Sequence, residues 1–176
     1  MEITLLASGS EKLRLDDHDG NIPWSHLNSF QEFLTERISG KNVIIGKKAF
    51  EIDFLKKLIH QAYAYPIIVA REEKFSLNSV QVVGFTEALD FLKINRVHTE
   101  VMVLGGTQTF KDALPYSNKV EYFQIDHNPR GLSEFPSSLK TDFKRVSLSP
   151  SSEVVEKDIF RIEIQKWLRK PGTKIM

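Results

Sequence analysis

Val101-Met-Val-Leu-Gly-Gly-Thr-Gln-Thr-Phe110 is the stretch from which the fold can be read. Four apolar residues run into two glycines, and a small-polar run then leads to Lys111-Asp-Ala-Leu114. A short continuous apolar run closed by turn chemistry predicts a buried parallel strand over residues 101–104, and the polar run predicts a helix start at Thr107. The first N–H groups of such a helix have no partner within it, so the turn suits a phosphate or pyrophosphate. Most turns of this kind bind nothing, and the reading needs support from the rest of the chain.

Outward from this point, strands and helices alternate. Apolar and β-branched runs predict strands over 3–7, 42–45, 66–70, 80–83, 101–104, 119–126, 143–147 and 159–166. Helical spacing predicts helices near 27–38, 50–58, 86–94 and 107–114, with Thr86-Glu-Ala-Leu89 offering a hydroxyl cap and an acidic first turn. Alternation through the first two thirds requires right-handed crossovers and a largely parallel sheet. The last third is strand-rich, which predicts an antiparallel hairpin closing one edge. The loop Asp16-Asp-His-Asp-Gly-Asn21 falls between the first strand and first helix, over the carboxyl ends of the strands where open sheets bind ligands.

Composition narrows the class. The 176 residues fit one domain, 1–176, and 41% hydrophobic content is enough for a core. A net charge of +1 gives no field to recruit nucleic acid or a membrane surface. No apolar run is long enough to span a bilayer, and Met1-Glu-Ile-Thr-Leu-Leu-Ala7 reads as a first strand rather than a signal peptide, so a cytoplasmic protein is expected. The chain has no cysteine, which excludes disulfides, thiolate catalysis and cysteine metal sites. His18, His60, His98 and His127 show no metal-ligand spacing, and Asp16, Asp17 and Asp19 lack the pattern of a calcium loop, so no metal is expected.

Four segments, in order, are Asp19-Gly-Asn-Ile-Pro-Trp24, Asn42-Val-Ile-Ile-Gly-Lys-Lys-Ala-Phe-Glu51, Pro66-Ile-Ile-Val-Ala-Arg71 and the glycine-pair stretch itself. They are followed by Ala113-Leu-Pro-Tyr-Ser-Asn-Lys-Val-Glu-Tyr-Phe-Gln-Ile-Asp126 and Phe135-Pro136. Their order and spacing resemble the dihydrofolate reductase superfamily over nearly the whole chain. The resemblance implies an α/β fold with a mostly parallel eight-stranded sheet, an antiparallel C-terminal hairpin and about four flanking helices. It also implies NADPH as hydride donor.

On the cofactor side, the resemblance assigns Gly105 and Gly106 to the pyrophosphate, where missing side chains let the backbone approach. Thr107, Gln108 and Thr109 add hydroxyl or amide donors. Gly46, Lys47, Lys48 and Ala49 fall where the family places basic residues near the adenosine phosphates. Val69, Ala70 and Arg71 fall where it grips the 2′-phosphate, which favours NADPH over NADH. Ala7 and Leu104 complete the expected cofactor lining.

On the substrate side, the resemblance implies a pocket lined by Leu6, Ile22, Ser29, Phe30, Phe33, Leu104, Phe110 and Phe123, with Trp24 and Ser29 as catalytic positions. Here the family pattern breaks. An acid is expected five residues after the Pro-Trp tryptophan, and this chain has Ser29. Residues 25–31 hold no acid, and Glu32 is turned about 100° from Phe33 around a helix. The threonine that partners the acid is replaced by Phe123, which has no polar group to offer. The folate-clamping arginine is absent from Leu58-Ile-His-Gln-Ala-Tyr-Ala-Tyr65. A proton must then come from water, from His26 or from the substrate. Trp24 also fits a simple loop anchor, and Phe30, Phe33 and Phe54 at helical spacings are more often core than a ligand platform.

The expected activity is NADPH-dependent reduction of dihydrofolate or a related pteridine, with insensitivity to antifolates. The alternatives are a pyrimidine reductase like those of the riboflavin pathway and a catalytically weak NADPH-binding homologue. The expected partner is a small molecule, a pteridine or pyrimidine, with no nucleic acid and no membrane.

Overall fold

A computed structural model describes residues 1–70, 72, 74, 75, 79–173 and 175. The strands are β1 (Ile3–Gly9), β2 (Asn42–Gly46), β3 (Tyr65–Val69), β4 (Lys74–Phe75), β5 (Val80–Val82), β6 (Val101–Gly105), β7 (Lys119–Ile125), β8 (Phe143–Val155) and β9 (Asp158–Arg169). The helices are α1 (Asn28–Ile38), α2 (Lys47–Phe50), α3 (Asp53–Gln61), α4 (Phe85–Ile94), α5 (Thr107–Ala113) and α6 (Leu139–Asp142), with a 3-10 turn at Leu114–Tyr116.

The strands form one sheet in the order β4-β5-β3-β2-β6-β1-β7-β9-β8. The pairings from β5 through β3, β2, β6 and β1 to β7 are parallel, and β9 and β8 add an antiparallel hairpin beside β7. All eight expected strands are present. The ninth, β4, is a two-residue edge that pairs with β5.

β1 is buried along its whole length, and its side chains alternate between two core layers. Leu5 packs on one face with Val103, Phe85, Leu89 and Phe110. Leu6 packs on the other with Trp24, Phe30, Phe33, Val43 and Phe123. Burying one large aliphatic side chain is worth about 1.5–3 kcal/mol, so this doubly covered sheet is the main source of stability. Helix α1 buries Phe30, Phe33, Leu34 and Ile38, a stripe at helical spacing against the second layer. Arg37 in its last turn faces the negative helix end. There it bonds the Phe33 carbonyl and the Glu121 carboxylate, both at 3.0 Å.

Four expectations are corrected. The helix expected over 50–58 is two, α2 and α3, because Ile52 is extended (φ −68°, ψ 115°) between them. Thr86 lies inside α4, whose cap position is Gly84. α6 is a single turn, too short to show periodicity. The strand expected over 143–147 runs on to Val155 as an outer strand, so its exposed positions carry no apolar alternation and Pro150 is tolerated. No helix among the described residues is long and apolar enough to cross a membrane.

The amino ends of the strands are pinned by charge. Glu100, just before β6, accepts hydrogen bonds from Thr4 Oγ1 (2.6 Å) and Lys41 Nζ (2.8 Å) and pairs with Lys119 Nζ at 2.9 Å. Desolvation pushes the Glu100 carboxyl up, but these partners outweigh it and bring its pKa down to about 2. This network lies at the opposite end of the strands from the loops described next.

Candidate active-site cleft

The carboxyl ends of β2 and β6 each run into a glycine and then a helix. Gly46 caps α2 and Gly106 caps α5, and neither helix start has a side-chain cap. The two turns touch. A Cβ at Gly46 would sit 2.9 Å from Thr109 Oγ1 and 3.0 Å from the Gly106 nitrogen, so only glycine fits without a shift. Gly105 has φ +131°, a conformation that favours glycine, and the Gly105–Gly106 peptide is cis. The β2–β6 register slips between Ile44 and Ile45, which pairs Ile45 with Gly105. Ala49 of α2 is buried against both glycines, 3.9 Å from where their Cβ atoms would be.

These contacts bring Gly46, Ala49, Gly105, Gly106 and Thr109 together. Lys47 and Lys48 are exposed on α2 beside them. Thr107 and Gln108 are in the first turn of α5, where the Gln108 amide is already engaged with Asp112 at 2.8 Å. Ala7 is buried on β1 and Leu104 on β6. Val69 ends β3 and is half-buried. Ala70 follows it and donates its N–H to the Val82 carbonyl at 2.8 Å. Arg71 lies outside the described residues.

The aromatic side of the site is assembled by α1. Phe123 of β7 is fully buried, with ring centroids 5.1 Å from Phe30 and 5.5 Å from Phe33. Phe54 of α3 stacks on Phe30 at 5.8 Å. Leu6 and Leu104 belong to the same layer. Trp24 is buried and its indole N–H donates to Ser8 Oγ at 2.9 Å, so it ties the loop before α1 to β1. Phe110 is not with these residues. Its position on α5 turns it to the opposite core layer, where it packs on Phe135 at 5.1 Å.

A cleft of about 460 Å³ opens between the loop before α1 and the α2–α3 pair. Its walls are Asn21, Ile22 and Ser25 on one side, and Lys48, Glu51, Ile52, Asp53 and Phe54 on the other. Ile22 and Lys48 were expected at the site. Ile52 and Asp53 were not, and the break between α2 and α3 that exposes them has no proline or glycine to announce it. A cavity of about 520 Å³, between the Ser10–Lys12 turn, the end of β7 and the hairpin, shares no residue with the glycine turns or α1. The smaller cleft also contains neither a glycine of the turns nor a residue of α1, but Lys48 in its wall belongs to the short helix that Gly46 caps, and this makes it the candidate site.

Ser29 stands on the first turn of α1, and its Oγ is buried without an aligned hydrogen-bond partner. The nearest acid comes from far away in sequence. Glu153 of β8 accepts the Ser29 N–H at Oε1 (2.6 Å) and the Asn28 N–H at Oε2 (2.9 Å). Slight burial pushes its carboxyl up, but the Ser29 N–H, the adjacent Ser29 hydroxyl, the Asn28 N–H and the nearby His26 imidazole together hold it below the usual carboxylate range. Nothing in the local pattern around residue 153 signals this contact.

The chain as a whole is similar to known proteins. The family model described as dihydrofolate reductase matches residues 3–169. The dihydrofolate reductase of Bacillus subtilis (strain 168) is 27% identical over 161 residues, 92% of this chain and 91% of that protein. The dihydrofolate reductase type 3 of Salmonella typhimurium is 26% identical over 149 residues, covering 85% and 87%. Among solved structures, a dihydrofolate reductase from Enterococcus faecalis complexed with NADP(H) and RAB-propyl superposes with a TM-score of 0.77. That match covers 96% of each chain at 16% identity and bears on the fold alone.

Proposed function

This chain belongs to the dihydrofolate reductase family, and from that premise we propose that it is an NADPH-dependent reductase that transfers a hydride to dihydrofolate or a related pteridine in the cytoplasm. The observation that carries the reading is the approach of Gly46 to Thr109 and Gly106. It sets two uncapped helix starts side by side, and bare N–H groups with no Cβ between them are what a dinucleotide pyrophosphate requires. Lys47 and Lys48 would meet the adenosine-side phosphates, with Arg71 assigned to the 2′-phosphate from its sequence position.

NADPH, when bound, supplies the hydride. The chain's own residues orient the acceptor and manage the proton. Ile22 and Phe54 line the cleft and would offer apolar surface to a flat heterocycle, while Phe30, on which Phe54 stacks, and Phe33 are buried in the core layer. At the position where the family carries an acid, α1 offers the Ser29 hydroxyl. A hydroxyl can donate or accept but cannot hold a charged ring by an ion pair, so substrate protonation relies on solvent or on the His26 side.

The test is NADPH consumption with dihydrofolate over a range of pH, alongside calorimetric titration with NADPH. Heat of binding and turnover above the no-enzyme rate are expected. If NADPH gives neither heat nor a thermal shift, the reductase reading fails. The absence of an acid at Ser29 leaves a second reading, a pyrimidine acceptor on the same fold. A panel of pteridine and pyrimidine substrates separates the two.

A further inference from the structure

We propose that Glu153, carried on the outer strand β8, is a positioning residue of the substrate site, holding the first turn of α1 through the Asn28 and Ser29 N–H groups. The proposal rests on the reductase reading above.

α1 begins without local help. Its cap residue Leu27 has no side-chain acceptor, and its first turn contains no acid. Two of its first N–H groups, those of Asn28 and Ser29, are instead taken by one carboxylate from more than 120 residues away. A negative charge at this end also opposes the positive pole of the helix. The clasp has a second point. Glu153 is paired across the hairpin with Phe160, and the Phe160 ring meets His26, two residues before Asn28, edge-on at 5.7 Å. One rung of the β8–β9 ladder thus grips the lead-in of α1 from both strands.

The absence of an acid at position 29 and the presence of Glu153 are two halves of one arrangement. The carboxylate already lies 2.6 Å from the Ser29 nitrogen, with the buried Ser29 Oγ beside it. A carboxylate on the helix at this position would crowd it, and two like charges at such range oppose each other's ionisation. Glu153 therefore sets the orientation of the first turn of α1, which presents Ser29 and leads into Phe30 of the aromatic cluster, without itself touching the acceptor.

The experiment compares wild type with Glu153→Ala, Glu153→Gln, Ser29→Asp and the Ser29→Asp/Glu153→Gln double variant. The readouts are KM and kcat for dihydrofolate, NADPH affinity by calorimetry, and thermal stability. Loss of the charged cap raises KM about tenfold in Glu153→Ala, the size expected for a charge-assisted hydrogen bond, while NADPH affinity stays within about twofold. Ser29→Asp alone lowers kcat/KM, and the double variant recovers it above both single variants, because the second acid takes the place of the first. If KM and NADPH affinity move together, or if the two substitutions combine additively, the proposal is overturned. If wild type turns over no pteridine, it is the reductase reading that fails, and this inference goes with it.

Discussion

Gly46 and Thr109 oppose each other across the two glycine turns so closely that a methyl group at position 46 would lie 2.9 Å from the threonine hydroxyl oxygen. The backbone at Gly46 (φ −66°, ψ 149°) is one that any residue adopts, so the demand for glycine here is steric. Gly46→Ala is therefore a clean probe of the cleft. Separating the turns should cost about 1–3 kcal/mol, the usual penalty of overpacking. NADPH affinity should fall by about ten- to a hundredfold for that cost, measured by calorimetry, while far-ultraviolet circular dichroism stays native.

Among the described residues, Lys47 and Lys48 form no ion pair. Their removal in a Lys47→Ala/Lys48→Ala variant should leave stability almost unchanged. Each charge-assisted contact with phosphate is worth about 1.5–3 kcal/mol at most, less where solvent screens it. NADPH binding should weaken and lose most of its salt dependence. A variant that binds NADPH as tightly as wild type at low salt would remove these lysines from the cofactor site.

The fold was legible where burial is continuous. Residues 101–105 are apolar and buried throughout, so a period-free apolar run read correctly as a central parallel strand. What escaped depends on register and distance. The contact between Gly46 and Thr109 follows from the slip between Ile44 and Ile45, which no spacing encodes. Phe110 lay in a quoted motif, yet which core layer it enters depends on how α5 sits on the sheet. Glu153 sits in an outer strand whose solvent-exposed residues follow no pattern, and its partner is at the far end of the chain. Ser29 was recognised as a missing acid. That the hairpin brings a carboxylate to it was not readable from either segment alone.

The missing helical acid has a pharmacological consequence. Diaminopyrimidine antifolates bind as protonated rings, and a carboxylate held against that ring is what would retain the charge. Here the helix offers a hydroxyl, and the Glu153 oxygens are occupied by the Asn28 and Ser29 N–H groups. Losing a charge-assisted pair costs about 1.5–3 kcal/mol, or roughly one to two decades in affinity. The Ser29→Asp/Glu153→Gln variant, which restores a helical acid, should therefore bind such compounds about ten- to a hundredfold more tightly than the wild type. Equal inhibition constants for the two proteins would show that an acid already reaches the ring.

The Glu100 network makes a prediction about acid stability that is independent of the active site. The Glu100 carboxyl titrates near pH 2 in the folded chain against an ordinary value of 4.5. A depressed folded pKa stabilises the native state above the unfolded value, and that contribution is lost as pH falls from 4.5 toward 2. The shift corresponds to about 3 kcal/mol, and about 2 kcal/mol after allowance for partial exposure. Glu100→Gln should therefore lower stability at neutral pH by about this amount and flatten the stability profile between pH 4.5 and 2. It would also remove the carboxylate that lies 2.8–2.9 Å from both Lys41 and Lys119, leaving Lys119 only its longer Glu2 pair at 3.7 Å and the two ammonium groups less well screened from each other. Raised salt should recover part of the loss by screening that repulsion. Urea titrations of both proteins at several pH values measure the difference. Parallel profiles would mean that the network at the amino ends of the strands contributes nothing through the ionisation of Glu100.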